Sequence, residues 1–169
     1  MAARNEMDHQ RVIHDWYCRM MLGQALTDVR LATGDLTQAG AEAERFLELA
    51  LATAERTWQS LAWEASARVA MAGGDHHRAR TCLETALSTM EGFEIPLAAW
   101  RVQASAAEFK TRLGNQRAAG RHRSLARATV LSLANSLVDH GRLRDTFLGA
   151  PPVRAIIDAG RGAGHGDDR

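Results

Sequence analysis

His14 and Cys18 stand four residues apart, a spacing that places two metal-ligating side chains on one face of a helix, and His9 lies a little more than one turn upstream. Two ligands rarely hold a metal by themselves. The plainer expectation is therefore one half-buried histidine and one buried cysteine. His76 and His77 are adjacent at the start of a predicted helix, where neighbouring side chains diverge by about 100° and do not converge on one ion. Cys82 is the only other cysteine, and its surroundings have neither the spacing of a structural zinc site nor the partners for a disulfide framework. Neither a metal nor a cofactor is expected.

Catalytic chemistry fares no better. The chain has no Gly-x-x-x-x-Gly-Lys-Ser/Thr phosphate loop, no Gly-x-Gly-x-x-Gly after a strand, no Gly-x-Ser-x-Gly elbow and no His-Glu-x-x-His pair. The expectation is a protein that is not an enzyme. The four tryptophans divide into Trp63 and Trp100, on helices where a large ring fills the core, and Trp16 and Trp58, which are free to be partly exposed. Met20, Met21, Met71 and Met90 are read as gap fillers in the core.

Charge is uneven along the chain. Asp35, Glu42, Glu44, Glu48, Glu55 and Glu64 face only Arg45 and Arg56 between residues 35 and 64, whereas Lys110, Arg112, Arg117, Arg121, Arg123 and Arg127 occur with no acid between 110 and 127. Lys110 is the one lysine of the chain. The first reading of the basic stretch is a solvated face; contact with a protein, including the acidic stretch of a second copy, comes next, and nucleic acid comes last.

These residues need a scaffold, and composition limits the choice. The chain has 169 residues, a formal charge of +1, 46% hydrophobic and 24% charged residues, which suits a folded core and excludes a polybasic binder acting by bulk charge. Three prolines, four phenylalanines and one tyrosine among Ala-, Leu- and Arg-rich stretches disfavour strands. The expected class is all-α. Arg4, Glu6 and Asp8 near the start, with no apolar stretch after them, argue against a signal peptide, and no apolar run reaches the length of a bilayer span. A cytoplasmic location with no membrane partner is expected.

The chain then repeats itself. Gly34-Asp35, Gly74-Asp75 and Gly114-Asn115 recur every forty residues, each followed by an alanine five positions after the glycine: Ala39, Ala79 and Ala119. The glycine ends one helix, the Asp or Asn caps the next, and the alanine permits a close antiparallel crossing. Asp35 with Gln38 has capping-box spacing. Helices are predicted at 9–32, 36–54, 57–72, 76–90, 95–113 and 116–138. Two short ones follow, over Leu143 to Leu148 and after Pro151-Pro152, where Val153, Ile156 and Ile157 close the end of the stack. The predicted organisation is a flexible segment at 1–8, three repeats over 9–138, a helical cap at 139–159 and a disordered tail at 160–169.

The series Ala70-Met71-Ala72-Gly73-Gly74-Asp75, then Ala79, then Ala86-Leu87, resembles the tetratricopeptide repeat, and Trp63 sits where that family favours Trp. The period is forty rather than about thirty-four, and Gly23 and Gln103 occupy the equivalent Trp positions. Ile95 to Arg101, Leu113-Gly114, Arg121-His122-Arg123 and Leu143 to Leu148 are similar to the last repeat and cap of large bacterial ATPase-type transcription activators and repeat-bearing adenylate cyclases; the likeness covers roughly 30–158. The resemblance implies a short α-solenoid whose concave face is lined by Gln24, Asp28, Glu64, Arg68, Met71, Arg101, Glu108 and Arg112. Such a polar surface of both signs suits a peptide or partner helix. The implied function is a non-catalytic protein-binding scaffold in bacterial signalling or regulation, with a homodimer as one form of partner. The alternative is a regulatory domain that senses a small effector.

Overall fold

The computed structural model describes residues 15–159. The expectations for His9, His14, the 1–8 segment and the 160–169 tail lie outside the described residues. Within them the protein is all-helical: α1 (Asp15–Ala32), α2 (Leu36–Leu51), α3 (Arg56–Ala72), α4 (His76–Met90), α5 (Pro96–Arg112), α6 (Gln116–Ser136), α7 (Gly141–Gly149) and α8 (Pro151–Ala159). No described helix is long and apolar enough to cross a membrane.

Three turns of the same construction connect α1 to α2, α3 to α4 and α5 to α6. Gly34, Gly74 and Gly114 have φ of 77°, 77° and 74°, a left-handed conformation in which a side chain would be strained. In each turn the amide of the residue just before the new helix reaches back to a carbonyl of the old one, as in Asp75 N to Ala70 O at 2.9 Å. Asp35, Asp75 and Asn115 then accept from the amides of Gln38, Arg78 and Ala118. Each cap satisfies a donor that the helix start cannot satisfy itself. Ala39, Ala79 and Ala119 are all fully buried where the paired helices meet.

Other boundaries follow local hydrogen bonds. The second helix stops at Leu51 rather than 54 because the Thr53 hydroxyl donates to Ala50 O and Gln59 Nε2 donates to Thr53 O at 2.6 Å, which turns the chain early. The third starts at Arg56 because the Glu55 carboxylate accepts from the amides of Thr57 and Trp58. Pro96 opens α5 in the first turn, where its missing N–H costs nothing.

The chain divides into two compact units, Met1–Phe93 and Glu94–Arg169, with the boundary in the Gly92-containing linker. In the first unit α1 packs on α2 and α3 on α4, and α3 also contacts α1 and α2. Gly23 permits the α1–α2 crossing: a Cβ there would lie 3.0 Å from Phe46 Cβ, and Phe46 is fully buried. In the second unit α5 packs on α6, and α8 covers the apolar end of α6 together with α7. Trp100, Val130 and Val153 form that core, with Leu133, Phe147, Leu148, Ile156 and Ile157 packed against it.

Gly74→Val should destabilise the fold by on the order of 1–3 kcal/mol, because valine is excluded from φ near 77°. Asp75→Ala should cost about 1 kcal/mol through the lost cap. Thermal or urea melts check both, and an unchanged midpoint for Gly74→Val would refute the turn assignment.

Candidate functional site

In the first unit the structure brings together three of the predicted groove residues. Arg68 on α3 donates Nη1 to Asp28 Oδ1 on α1, and its Nε lies 3.8 Å from Glu64 Oε1 one turn away. Asp28 and Arg68 are forty residues apart, so they occupy the same register in successive hairpins and carry opposite charge. Glu64 and Met71 are buried, and Gln24 directs a buried Nε2 to no acceptor. The arginine is held between two carboxylates, so this cluster chiefly ties α3 to α1.

The acid-rich 35–64 stretch is also engaged internally. Asp35 and Glu55 cap helices, Glu42 is buried at 2% exposure and pairs with Arg45 at 2.8 Å, and Glu44 meets Arg78 at 3.2 Å. One helix of the first unit, α1, presents an apolar face to solvent. Cys18, Met21, Ala25, Val29 and Ala32 are exposed and share the face of α1 opposite buried Met20, Gly23 and Thr27. Met21 and Val29 are 51% and 55% exposed. Cys18 and Met21, expected in the core, point outward instead, because the close α1–α2 crossing at Gly23 sets which face is buried. At the start of α1, Trp16 and Tyr17 are nearly half exposed, and Tyr17 meets Trp58 edge-on with ring centroids 5.6 Å apart. Trp58 continues edge-on to Phe46 at 6.2 Å.

In the second unit the remaining predicted residues take separate roles. Arg112 donates to Glu108 Oε1 at 2.6 Å along one helix face, and the Arg101 guanidinium lies 4.8 Å from the Trp100 ring centroid. The basic 110–127 stretch spreads over the end of α5 and over α6. Lys110 Nζ lies 5.8 Å from the Phe109 ring centroid, Arg117 and Arg121 are exposed, and Arg123 donates Nη1 to Thr111 Oγ1 at 3.2 Å.

Two cavities that sequence reasoning did not foresee flank the end of α8. One of about 310 Å³ is lined by Ala104, Ala107, Glu108, Thr111, Arg123, Ala126, Ala155, Ile156 and Ala159. The other, about 380 Å³, is lined by Gly120, Arg123, Ser124, Arg127, Ala128, Leu131 and Ala159. The alanine-rich faces of α5 and α6 signalled close packing, but the position of α8 against them depends on tertiary contacts that no local pattern encodes.

Two titratable groups are displaced from their ordinary values. Burial pushes the Cys82 thiol up, with the neighbouring Arg78 opposing the shift, so the thiol is not primed for nucleophilic chemistry. Burial, then Lys110 and Arg121, holds His122 below the usual imidazole range, and its Nδ1 lies 2.6 Å from Gln103 Oε1. Among the described residues no group of three or more His, Cys, Asp or Glu converges as a metal site. His76 and His77, at the exposed start of α4, belong to no such group.

Compared with known proteins, the chain matches no family model, no curated protein sequence and no solved structure.

The unfolded chain binds a proton at His122 more readily than the folded one, so the associated stability is complete above the unfolded value, about 6.5, and is lost as pH falls through the lower folded value. Melting temperature should drop on acidification, and His122→Gln should lessen the drop. Parallel pH profiles for the two proteins would exclude His122 as its source.

Proposed function

We propose that the chain is a non-catalytic, tetratricopeptide-like scaffold that binds a protein partner, as a peptide or an apolar helix, in a regulatory assembly. The observation that carries this reading is the outer face of α1. A helix at the edge of a folded unit ordinarily turns a charged face to water. Here five uncharged residues, from Cys18 to Ala32, run along the face away from the core for about 21 Å at 1.5 Å per residue. Arg19, Gln24, Asp28 and Arg30 flank this stripe. An apolar stripe with a polar border is the arrangement of a helix-in-groove contact, in which spaced apolar anchors supply affinity and the rim supplies orientation. Trp16 and Tyr17 add the aromatic surface that binding hot spots favour.

The Asp28–Arg68–Glu64 cluster stands at the border of this surface and fixes α1 against α3, so the stripe is presented on a rigid element. A partner helix, or the α1 of a second copy, would bury Met21 and Val29, each worth roughly 1.5–3 kcal/mol when fully covered.

The double variant Met21→Glu, Val29→Glu tests the reading. Both side chains are exposed, so the melting temperature should stay near that of the wild type. Partner capture from native lysate and any concentration-dependent self-association in sedimentation should both fall at least about ten-fold, since a carboxylate would be buried in the contact. Equal capture and equal association by the two proteins would remove α1 as the binding face.

A further inference from the structure

The two cavities at the end of α8 are adjacent, and Arg123 and Ala159 line both. Their chemistry differs. The smaller is floored by Ala104, Ala107, Ala126, Ala155 and Ile156, an apolar trough between α5, α6 and α8. The larger brings two guanidinium groups, Arg123 and Arg127, one turn apart on α6, beside the Ser124 hydroxyl, and no carboxylate lines it among the described residues.

Arg127 Nε is buried and donates no hydrogen bond. Arg127 as a whole is half-buried, and this one buried N–H without an acceptor carries a cost that a bound carboxylate or other oxyanion would offset. Arg123 donates Nη1 to Thr111 Oγ1, and a guanidinium carries further N–H donors besides. Glu108, the one acid among the described residues that line the trough, is paired with Arg112 at 2.6 Å.

We propose that the second unit holds a binding site for an apolar monocarboxylate, with Arg127 and Arg123 receiving the carboxylate and the trough between α5, α6 and α8 receiving the hydrocarbon body. The planar guanidinium suits a carboxylate by paired N–H donors, and the small side chains of the trough floor offer apolar surface to an aliphatic chain, while Glu108 and Thr111 at its side are engaged with Arg112 and Arg123. The combined volume lies within the range of small-ligand sites. This site is in the second unit and is independent of the partner surface on α1: loss of either leaves the other standing.

Octanoate is a suitable probe, measured by calorimetry on the full chain, with octylammonium, 1-octanol and acetate as comparisons. Octanoate should bind, acetate and octylammonium should bind at least about ten-fold more weakly, and 1-octanol should lose most of the affinity for want of a charged head. Arg127→Gln should weaken octanoate at least about ten-fold without changing the helical spectrum. If Arg127→Gln does not fold, Arg123→Gln tests the same charge, and Ala155→Phe, at an exposed position on the trough, should block the hydrocarbon without altering charge. Asp167 and Asp168 follow α8 in the sequence and are an internal source of the same chemistry. Binding of octanoate only in Asp167→Asn, Asp168→Asn would overturn the free-ligand assignment in favour of the chain's own carboxylates. Equal affinity for octanoate and 1-octanol, unchanged affinity in all three site variants, or no binding in any protein would also overturn the proposal.

Discussion

Everything in this protein depends on reversing a helix in three residues, three times, while pairing the backbone donors of the turn. A glycine at φ near +75° makes the reversal, and the Asp or Asn beside it closes the first turn of the next helix. Only because the turn is that tight do the paired helices start close together, and only because they start close together are Ala39, Ala79 and Ala119 required to be small. The register of each hairpin is thus set at its turn, and side chains further along inherit it. Asp28 and Arg68 meet across two hairpins because both count from equivalent turns.

The turns, the helix order and the capping residues were legible in the sequence because each is a local device with its own chemical signature. A glycine before Asp or Asn after an apolar-periodic run has few other readings, and Val153, Ile156 and Ile157 identified the closing helix by periodicity alone. Legibility ended where side chains from distant segments meet. Cys18 and Met21 looked like core residues because they are apolar, and the close packing of Gly23 on Phe46 turned them outward. Glu64, placed in a groove only by the resemblance to a repeat family, is buried beside Arg68. The arginine-lined cavity was visible only as a basic stretch, since the pairing of Arg123 with Arg127 follows from helical spacing but the adjacent trough follows from where α8 docks.

The two units use charge in opposite ways. In the first, Asp35 and Glu55 cap helices, Glu42 pairs with Arg45 on its own helix and Glu44 with Arg78 on α4, so most of the acid-rich stretch consolidates the fold. In the second, the arginines outnumber nearby acids and several project from α6 with little internal employment. A surplus of one sign left on one helix is costly to maintain without a counter-charge. The first unit accordingly offers an apolar face and the second a cationic one, and each suits a different kind of contact.

The contact of Gly23 with Phe46 reaches beyond packing. The three hairpins share their turns, yet the residue eleven positions before the turn is Gly23, Trp63 or Gln103. At the first of these there is no room for a Cβ, whereas the second carries an indole and the third an amide bonded to His122. The hairpins are therefore not interchangeable parts. Placing the second or third hairpin where the first stands would preserve the turn while driving an indole or an amide side chain into Phe46, so the shared turns do not make the crossings exchangeable.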